Sequence, residues 1–285
     1  MILITGAAGK TGQAVLNALL ERGETVRVLV RSQEQAEILI KLGAADAIIG
    51  DMTKSGSFEE AMKGTEAVYH ICPNMHPGEV EIGRMAINAA QKFGLEHFVY
   101  HSVLHPQTEK MLHHWRKLQV EELLFESGLR YTILQPAPYM QNILAGKKSI
   151  LDEGYYRIPY PADTKLSMVD LVDLGRAAAV VLTEPGHKEA VYEIVGSKGL
   201  TQGEVAAVLS RVLEQPVKVK EIELEIWRSD VEEIGMGQYE IEMLIRMFEY
   251  YASYGLCGNN FVLRQILERD PHSLTDFVAR EFFRH

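Results

Sequence analysis

The feature that most restricts this chain is a glycine turn set directly behind its first apolar run. Residues 1–5 lead into Thr5-Gly6-Ala7-Ala8-Gly9-Lys10-Thr11-Gly12. A strand that runs into three glycines spaced three apart, and then into a helix, predicts a βα turn whose backbone can approach a phosphate closely. Gly6 makes the tight turn. Gly9 removes the Cβ that would stand between backbone and pyrophosphate, and Gly12 lets the helix lie against the strand. A pyrophosphate then faces free N–H groups at the positive end of the helix, with Lys10 and Thr11 in the first turn. An ordinary glycine-rich turn has the same composition. The strand before it and the helix after it favour the dinucleotide reading. Gly9-Lys10-Thr11 also mimics the end of a triphosphate-binding loop. That loop needs a glycine five positions before Gly9, where this chain has Ile4, so the turn is too short to wrap a triphosphate.

The rest of the chain continues the rhythm set by this turn. Strand-like apolar runs fall at 1–5, 25–30, 47–50, 67–72, 97–102 and 131–135, with helices beginning near Lys10, Gln33, Ser57, Glu79 and Thr108. Short buried strands alternating with helices predict a parallel sheet of βαβ units, with right-handed crossovers placing helices on both faces. A seventh strand is expected at 191–195, after a helix over 170–183. Pro136, Pro138, Pro159 and Pro161 then loosen the pattern. Helices are expected at 204–213, with Thr201 as N-cap, and at 240–251 and 261–267. The stripe of Met243, Leu244, Met247 and Phe248 reads as a core face, or as a pocket cover or dimer contact. The predicted fold is α/β: a Rossmann-type doubly wound parallel sheet with a smaller, mostly helical C-terminal substrate lobe. Residues 1–135 form the dinucleotide-binding core. Residues 136–285 complete the sheet near 188–196 and build the lobe.

Composition excludes several classes. A net charge of −10 over 285 residues argues against nucleic acid as a partner, because backbone affinity comes from lysine and arginine. No apolar run reaches the roughly 18–20 residues of a membrane span. The N-terminal run lacks a basic start, so no secretory leader is expected. Two distant cysteines, Cys72 and Cys257, read as reduced thiols of a cytoplasmic protein.

Cofactor choice is read at the end of the second strand. Enzymes that use NAD place a carboxylate there for the ribose 2′-hydroxyl, whereas this chain has Arg31-Ser32. A guanidinium suits the additional phosphate of NADP(H), with Ser32 as a further donor, so NADP(H) is expected over NAD(H). Asp51 and Met52, after the third strand, reach the adenine position. Asp51 can accept from the adenine amino group or cap its own loop.

Taken together, the TGAAGKTG turn, Arg31, Gly50-Asp51, residues 113–122, the segment from Gln135 to Asn142, and Lys165-Leu166-Ser167-Met168-Val169-Asp170 through Asp173 and Arg176 resemble the short-chain dehydrogenase/reductase superfamily. The chain is most similar to its atypical NmrA-like branch, which includes quinone and triphenylmethane-dye reductases and redox-sensing regulators. The resemblance implies a catalytic face on the helix after strand five. The superfamily places a tyrosine and a lysine there, four positions apart. This chain has His113 and Lys117, which share a helical face. Lys117 is then expected at the nicotinamide ribose, with His113, of near-neutral pKa, donating a proton or orienting a substrate carbonyl. Ser102 occupies the superfamily's serine position, or caps a loop. Tyr139 and Asn142 are expected to line the substrate cleft, or to serve packing and capping. Trp115 is read as packing or as a ligand stack. His97, His101 and His105 share an even spacing, yet no metal is expected, because no zinc-type ligand spacing accompanies them.

Three functions follow from this pattern. The first is an NADPH-dependent reductase of a small flat electrophile such as a quinone or dye. The second is a non-catalytic NADP(H) sensor that acts through a protein partner. The third is an isomerase of the sugar-nucleotide epimerase type. A homodimer is compatible with each.

Overall fold

Five strand–helix repeats and a sixth strand build the first half of the chain. The computed structural model describes residues 1–283. It places β1 (Ile2–Thr5), α1 (Lys10–Glu21), β2 (Val26–Val30), α2 (Gln33–Lys41), β3 (Asp46–Ile49) and α3 (Ser55–Met62) in order. These are followed by β4 (Ala67–His70), α4 (Glu79–Phe93), β5 (His97–His101), α5 (Leu112–Glu126) and β6 (Tyr131–Pro136). After β6 come a 3-10 segment, Met140–Gly146, and a π-helical turn, Ser149–Glu153. Then follow β7 (Tyr155–Ile158), β8 (Lys165–Leu166), α6 (Leu171–Thr183), β9 (Ala190–Ile194), β10 (Leu200–Thr201), α7 (Gln202–Leu213) and β11 (Lys218–Glu221). The chain closes with α8 (Leu224–Glu233), α9 (Gln238–Tyr254), α10 (Phe261–Leu267) and α11 (Leu274–Phe282).

The main sheet has the order β3-β2-β1-β4-β5-β6-β9, and every neighbouring pair is parallel. Strand order reverses between β1 and β4. That reversal opens the crevice at the carboxyl ends of the strands where ligands of such sheets lie. Buried side chains of α1, α2 and α6 pack on one face of the sheet, and those of α3, α4 and α5 on the other. The expected strand and helix starts agree closely, except before α5. There His105 adopts a φ of +55° and residues 105–111 form successive turns, so the helix starts at Leu112 rather than Thr108.

A repeated tripeptide, Val-Tyr-His, occupies both β4 and β5, at 68–70 and 99–101. The strands pair one residue out of phase with that repeat: Tyr69 lies opposite Val99, and His70 opposite Tyr100. Alternation along a strand then puts Tyr69 and His101 on one face of the sheet, and His70 and Tyr100 on the other.

The C-terminal lobe has its own apolar cluster, including Met140, Ile158, Leu209, Val217 and Phe277. Two small two-stranded sheets, β8–β10 and β7–β11, lie outside the helical expectation, as do α8 and α11. Two fully buried carboxylates fasten the lobe. Asp170 caps α6 at Val172 N and pairs with Arg280 at 2.8 Å. Asp173 receives Arg269 at 2.6 Å and the His272 ring at 2.8 Å. On the sheet side, α6 presses backbone to backbone against α1: a Cβ on Gly175 would lie 2.5 Å from the Ala14 carbonyl oxygen. No helix among the described residues is long and apolar enough to cross a membrane.

Candidate active site

The glycine turn has a distinct constraint at each glycine. Gly6 sits at φ +64°, and a Cβ there would lie 3.0 Å from the Ile71 carbonyl oxygen. At Gly12 a Cβ would lie 2.5 Å from the Gly6 oxygen and 2.6 Å from Ala7 Cα, so α1 could not start where it does with any larger residue. Gly9 differs. It is the exposed N-cap of α1, in an extended conformation that any residue adopts, and a Cβ would touch only the Gly6 oxygen at 3.4 Å. Structure within the chain therefore does not require glycine at position 9, whereas a ligand approaching the backbone does. No side chain caps α1 and its first turn holds no acidic residue, which leaves its leading N–H groups for an anion. Lys10 is exposed beside them and Thr11 is half-buried.

The other expected cofactor residues line the same edge. Arg31 is exposed at the end of β2; its guanidinium makes no hydrogen bond or close ion pair among the described residues, though its charge helps lower the Asp51 pKa, and its backbone N–H donates to Gln35. Ser32 is the N-cap of α2, accepting from Gln35 N at 3.3 Å. Its hydroxyl hydrogen remains free to donate. Asp51 caps its own loop through Thr53 N at 2.9 Å, and that hydrogen bond together with the Thr53 side chain lowers its pKa. Met52 is buried in the core with Leu3 and Phe58, so it shapes the adenine side of the crevice only from beneath. These features fit a dinucleotide: an uncapped helix end, an open face at Gly9 and an exposed guanidinium. The glycine turn would hold its pyrophosphate, and Arg31 its ribose phosphate.

The catalytic expectations need more revision. Lys117 does lie on α5, but its ammonium points toward buried Glu79 on α4, at 2.9 Å, and toward the His101 carbonyl oxygen at 3.2 Å. Two of its three hydrogens are thus held inside the protein, and the ammonium also lies 5.4 Å from the centre of the Tyr100 ring. Glu79 also accepts from Tyr100 at 2.8 Å. Burial pushes the Glu79 carboxyl up, yet Lys117, Tyr100 and Cys72 together bring it below its ordinary value. His113 shares the face of Lys117, but burial, with His114 and Lys117 nearby, pushes its pKa down to about 2. The expected proton donor of near-neutral pKa is therefore corrected to a neutral imidazole at physiological pH. Ser102 is corrected as well. It is buried, and its hydroxyl donates to Glu121, whose carboxylate also accepts from Gln135 at 3.0 Å. The hydroxyl is consumed in a core polar cluster and does not face the crevice. Trp115 is half-buried, and Asn142 is exposed on the 3-10 segment.

Tyr139 is the expected cleft residue with the most developed surroundings. Its hydroxyl lies 2.8 Å from His101 Nε2, and the Thr11 side chain of the glycine turn is near enough to oppose, in small part, the rise that burial gives its pKa. On its other ring nitrogen, His101 meets the Tyr69 hydroxyl at 2.9 Å. A second buried pair, Thr5 and His70, joins the ends of β1 and β4 at 2.9 Å. The three evenly spaced histidines have separate partners: His97 meets Thr132, His101 the two tyrosines, and His105 lies 3.9 Å from Glu193. Among the described residues no three metal-ligating side chains converge. Sequence reasoning missed Glu79, Tyr69 and the role of His101. The Val-Tyr-His repeat in adjacent strands was the available signal for the last two.

Comparison with known proteins follows the same lines. The model of the NmrA-like family matches residues 1–278. An NAD(P)H azoreductase from Xenophilus azovorans is 30% identical, over 98% of this chain and 96% of its own length. Quinone oxidoreductase 2 of Escherichia coli (strain K12) is 26% identical, over 99% of each chain. A crystal structure of an NADPH-dependent quinone oxidoreductase from Escherichia coli in complex with NADPH superposes with a TM-score of 0.86 at 26% identity, covering 99% of this chain and all of the other.

Proposed function

The chain belongs to the NmrA-like family, and on that premise we propose that it is an NADPH-dependent reductase of a small, flat quinone-, azo- or dye-like acceptor. The observation that carries this reading is the pairing of an open glycine cradle at Gly9 with an exposed Arg31 guanidinium at the neighbouring strand end. That pairing suits a phosphorylated dinucleotide. When bound, the reduced nicotinamide supplies a hydride. The chain's own residues bind, orient and shelter. The glycine turn and the α1 N-terminus hold the pyrophosphate, and Arg31 with Ser32 holds the ribose phosphate. Lys117 is braced by Glu79. The aligned quinone and azo reductases support the acceptor class. The neutral His113 supports it too: an acceptor that disperses its negative charge needs no strong acid beside it. A cytoplasmic setting belongs to the same proposal, supported by the unpaired thiols of Cys72 and Cys257. Anaerobic NADPH oxidation against a panel of quinones, azo dyes, triphenylmethane dyes and aldehydes tests it. Turnover with flat acceptors and little with aldehydes is expected, and a panel with no turnover at all would refute it.

A further inference from the structure

The superfamily's tyrosine is missing from α5, yet one hydrogen-bond chain at the carboxyl ends of the strands has a direction that can be read from its partners. Tyr69 is fully buried in β4, and among the described residues its hydroxyl has one partner, Nδ1 of His101 at 2.9 Å. A buried phenol with a single partner must donate to it, because accepting would leave its own hydrogen unpaired in the core. Nδ1 of His101 is therefore an acceptor and carries no hydrogen. The ring is neutral: burial, aided by the Lys117 ammonium and His70, pushes its pKa down to about 3. A neutral ring lacking hydrogen on Nδ1 carries it on Nε2, which then donates to the Tyr139 hydroxyl oxygen 2.8 Å away. The Tyr139 hydrogen is thereby turned away from His101. The Thr11 side chain of the glycine turn is near that hydroxyl, and Tyr139 is half-buried, so the hydrogen is not enclosed in the core.

We propose that Tyr139 is the hydrogen-bond donor to the reducible oxygen or nitrogen of the acceptor, and that Tyr69 and His101 are positioning residues that fix its direction. This rests on the reductase reading above. Hydride addition brings two electrons and one hydrogen to the acceptor, opens its C=O or N=N π bond and leaves one oxygen or nitrogen anionic. Tyr139 donates to that atom as the charge develops, and the His101 N–H behind it strengthens the donation. The hydroxyl of Tyr139 keeps its hydrogen, in line with a pKa that burial raises to about 12. The proton that completes the reduction comes from water as product leaves.

The test combines three measurements on the full-length protein: NADPH affinity by calorimetry, steady-state kinetics with a simple benzoquinone, and 15N NMR of histidine-labelled protein. Unmutated protein should show one imidazole, absent from a His101→Gln spectrum, as the Nε2–H tautomer at neutral pH. Tyr139→Phe should lower kcat by about ten- to a hundredfold while NADPH affinity stays within about twofold. Tyr69→Phe frees Nδ1 to take the hydrogen. It should shift the His101 signals toward the other tautomer and lower kcat by a smaller factor, again at constant NADPH affinity. Finding the Nδ1–H tautomer in unmutated protein would overturn the proposal. So would a Tyr139→Phe variant that binds NADPH poorly and turns over normally once saturated, since its hydroxyl would then serve the cofactor's phosphates. If unmutated protein turned over no acceptor, the reductase reading would fall and Tyr139's role with it. The tautomer measurement would still decide the direction of the chain.

Discussion

Gly9 and Gly12 are three residues apart in one motif, yet the structure predicts opposite balances of stability and binding when each gains a side chain. In Gly12→Ala the new methyl would lie 2.5 Å from the Gly6 oxygen and 2.6 Å from Ala7 Cα. Both are backbone atoms, and each is about 1 Å inside ordinary contact. The start of α1 must move, and overpacking of this kind costs about 1–3 kcal/mol. At about 2–4 °C per kcal/mol, the scale for chains of roughly 150–250 residues, the melting temperature should fall by about 2–12 °C. In Gly9→Val the backbone is already in an extended conformation at φ −77° and ψ 161°, and only the Gly6 oxygen lies near, at 3.4 Å. The expected loss is that of a poorer N-cap, at most about 1 kcal/mol. The branched side chain nevertheless fills the space where a pyrophosphate would meet the helix. Thermal melting and NADPH titration of both variants provide the assay. Gly9→Val should remain folded and lose NADPH, whereas Gly12→Ala should lose both stability and NADPH. Retained NADPH affinity in a folded Gly9→Val protein would refute the placement of the site.

The other predictions concern charge. Arg31→Ala should abolish most of the preference for NADPH over NADH, a loss of about 1.5–3 kcal/mol or about ten- to a hundredfold in affinity, read by calorimetry with both nucleotides. Lys117→Ala leaves the buried Glu79 carboxylate without its counter-charge, which should cost about 3–5 kcal/mol near neutral pH. The sign of its pH dependence should also reverse. With Lys117 present the depressed Glu79 pKa contributes stability that is lost as pH falls through the carboxylate range. Without Lys117, burial raises that pKa and the variant should gain stability relative to wild type as pH falls, measured by urea unfolding at pH 5 and pH 8. Buried His70, His97, His101 and His114 are held neutral, with pKa values lowered by burial to about 4, 4, 3 and 4. Their unfolded forms take up protons near pH 6.5. Stability should therefore be full above that value and fall between about pH 6.5 and 4, each group adding at most about 1.4 kcal/mol per pH unit. A flat urea midpoint across that window would contradict this.

Much of the sheet was legible because period and punctuation agree. Gly6 and Gly12 announce the first βα turn, and apolar runs bounded by helices announce the other parallel strands. The small strands β7, β8, β10 and β11 were not legible. With two to four residues each, and side chains such as Lys218 and Glu221 among them, they carry no pattern that distinguishes them from loop. At the site, the backbone cradle was readable because glycine has few other reasons to recur at that spacing. The polar groups were not, because their roles depend on register. Ser102 and Lys117 stand at the expected positions, yet their partners, Glu121 and Glu79, come from helices whose rotation a linear reading does not give. Tyr69 and His101 could have been paired from the Val-Tyr-His repeat only with the one-residue stagger of β4 against β5 in hand.

The backbone contact between Gly175 and Ala14 makes the molecule mechanically stiff along one line. Helix α1 begins at the glycine turn, and α6 begins at Asp170, which grips Arg280 of α11. Where two main chains touch, no rotamer lies between them to absorb a displacement. Any movement of α1 toward a bound anion would therefore have to carry α6 with it, and α6 is tied to the lobe by the Asp170–Arg280 ion pair. Loading one end of this lever should slow amide exchange at the other, in α11, far along the chain from any residue the dinucleotide would touch.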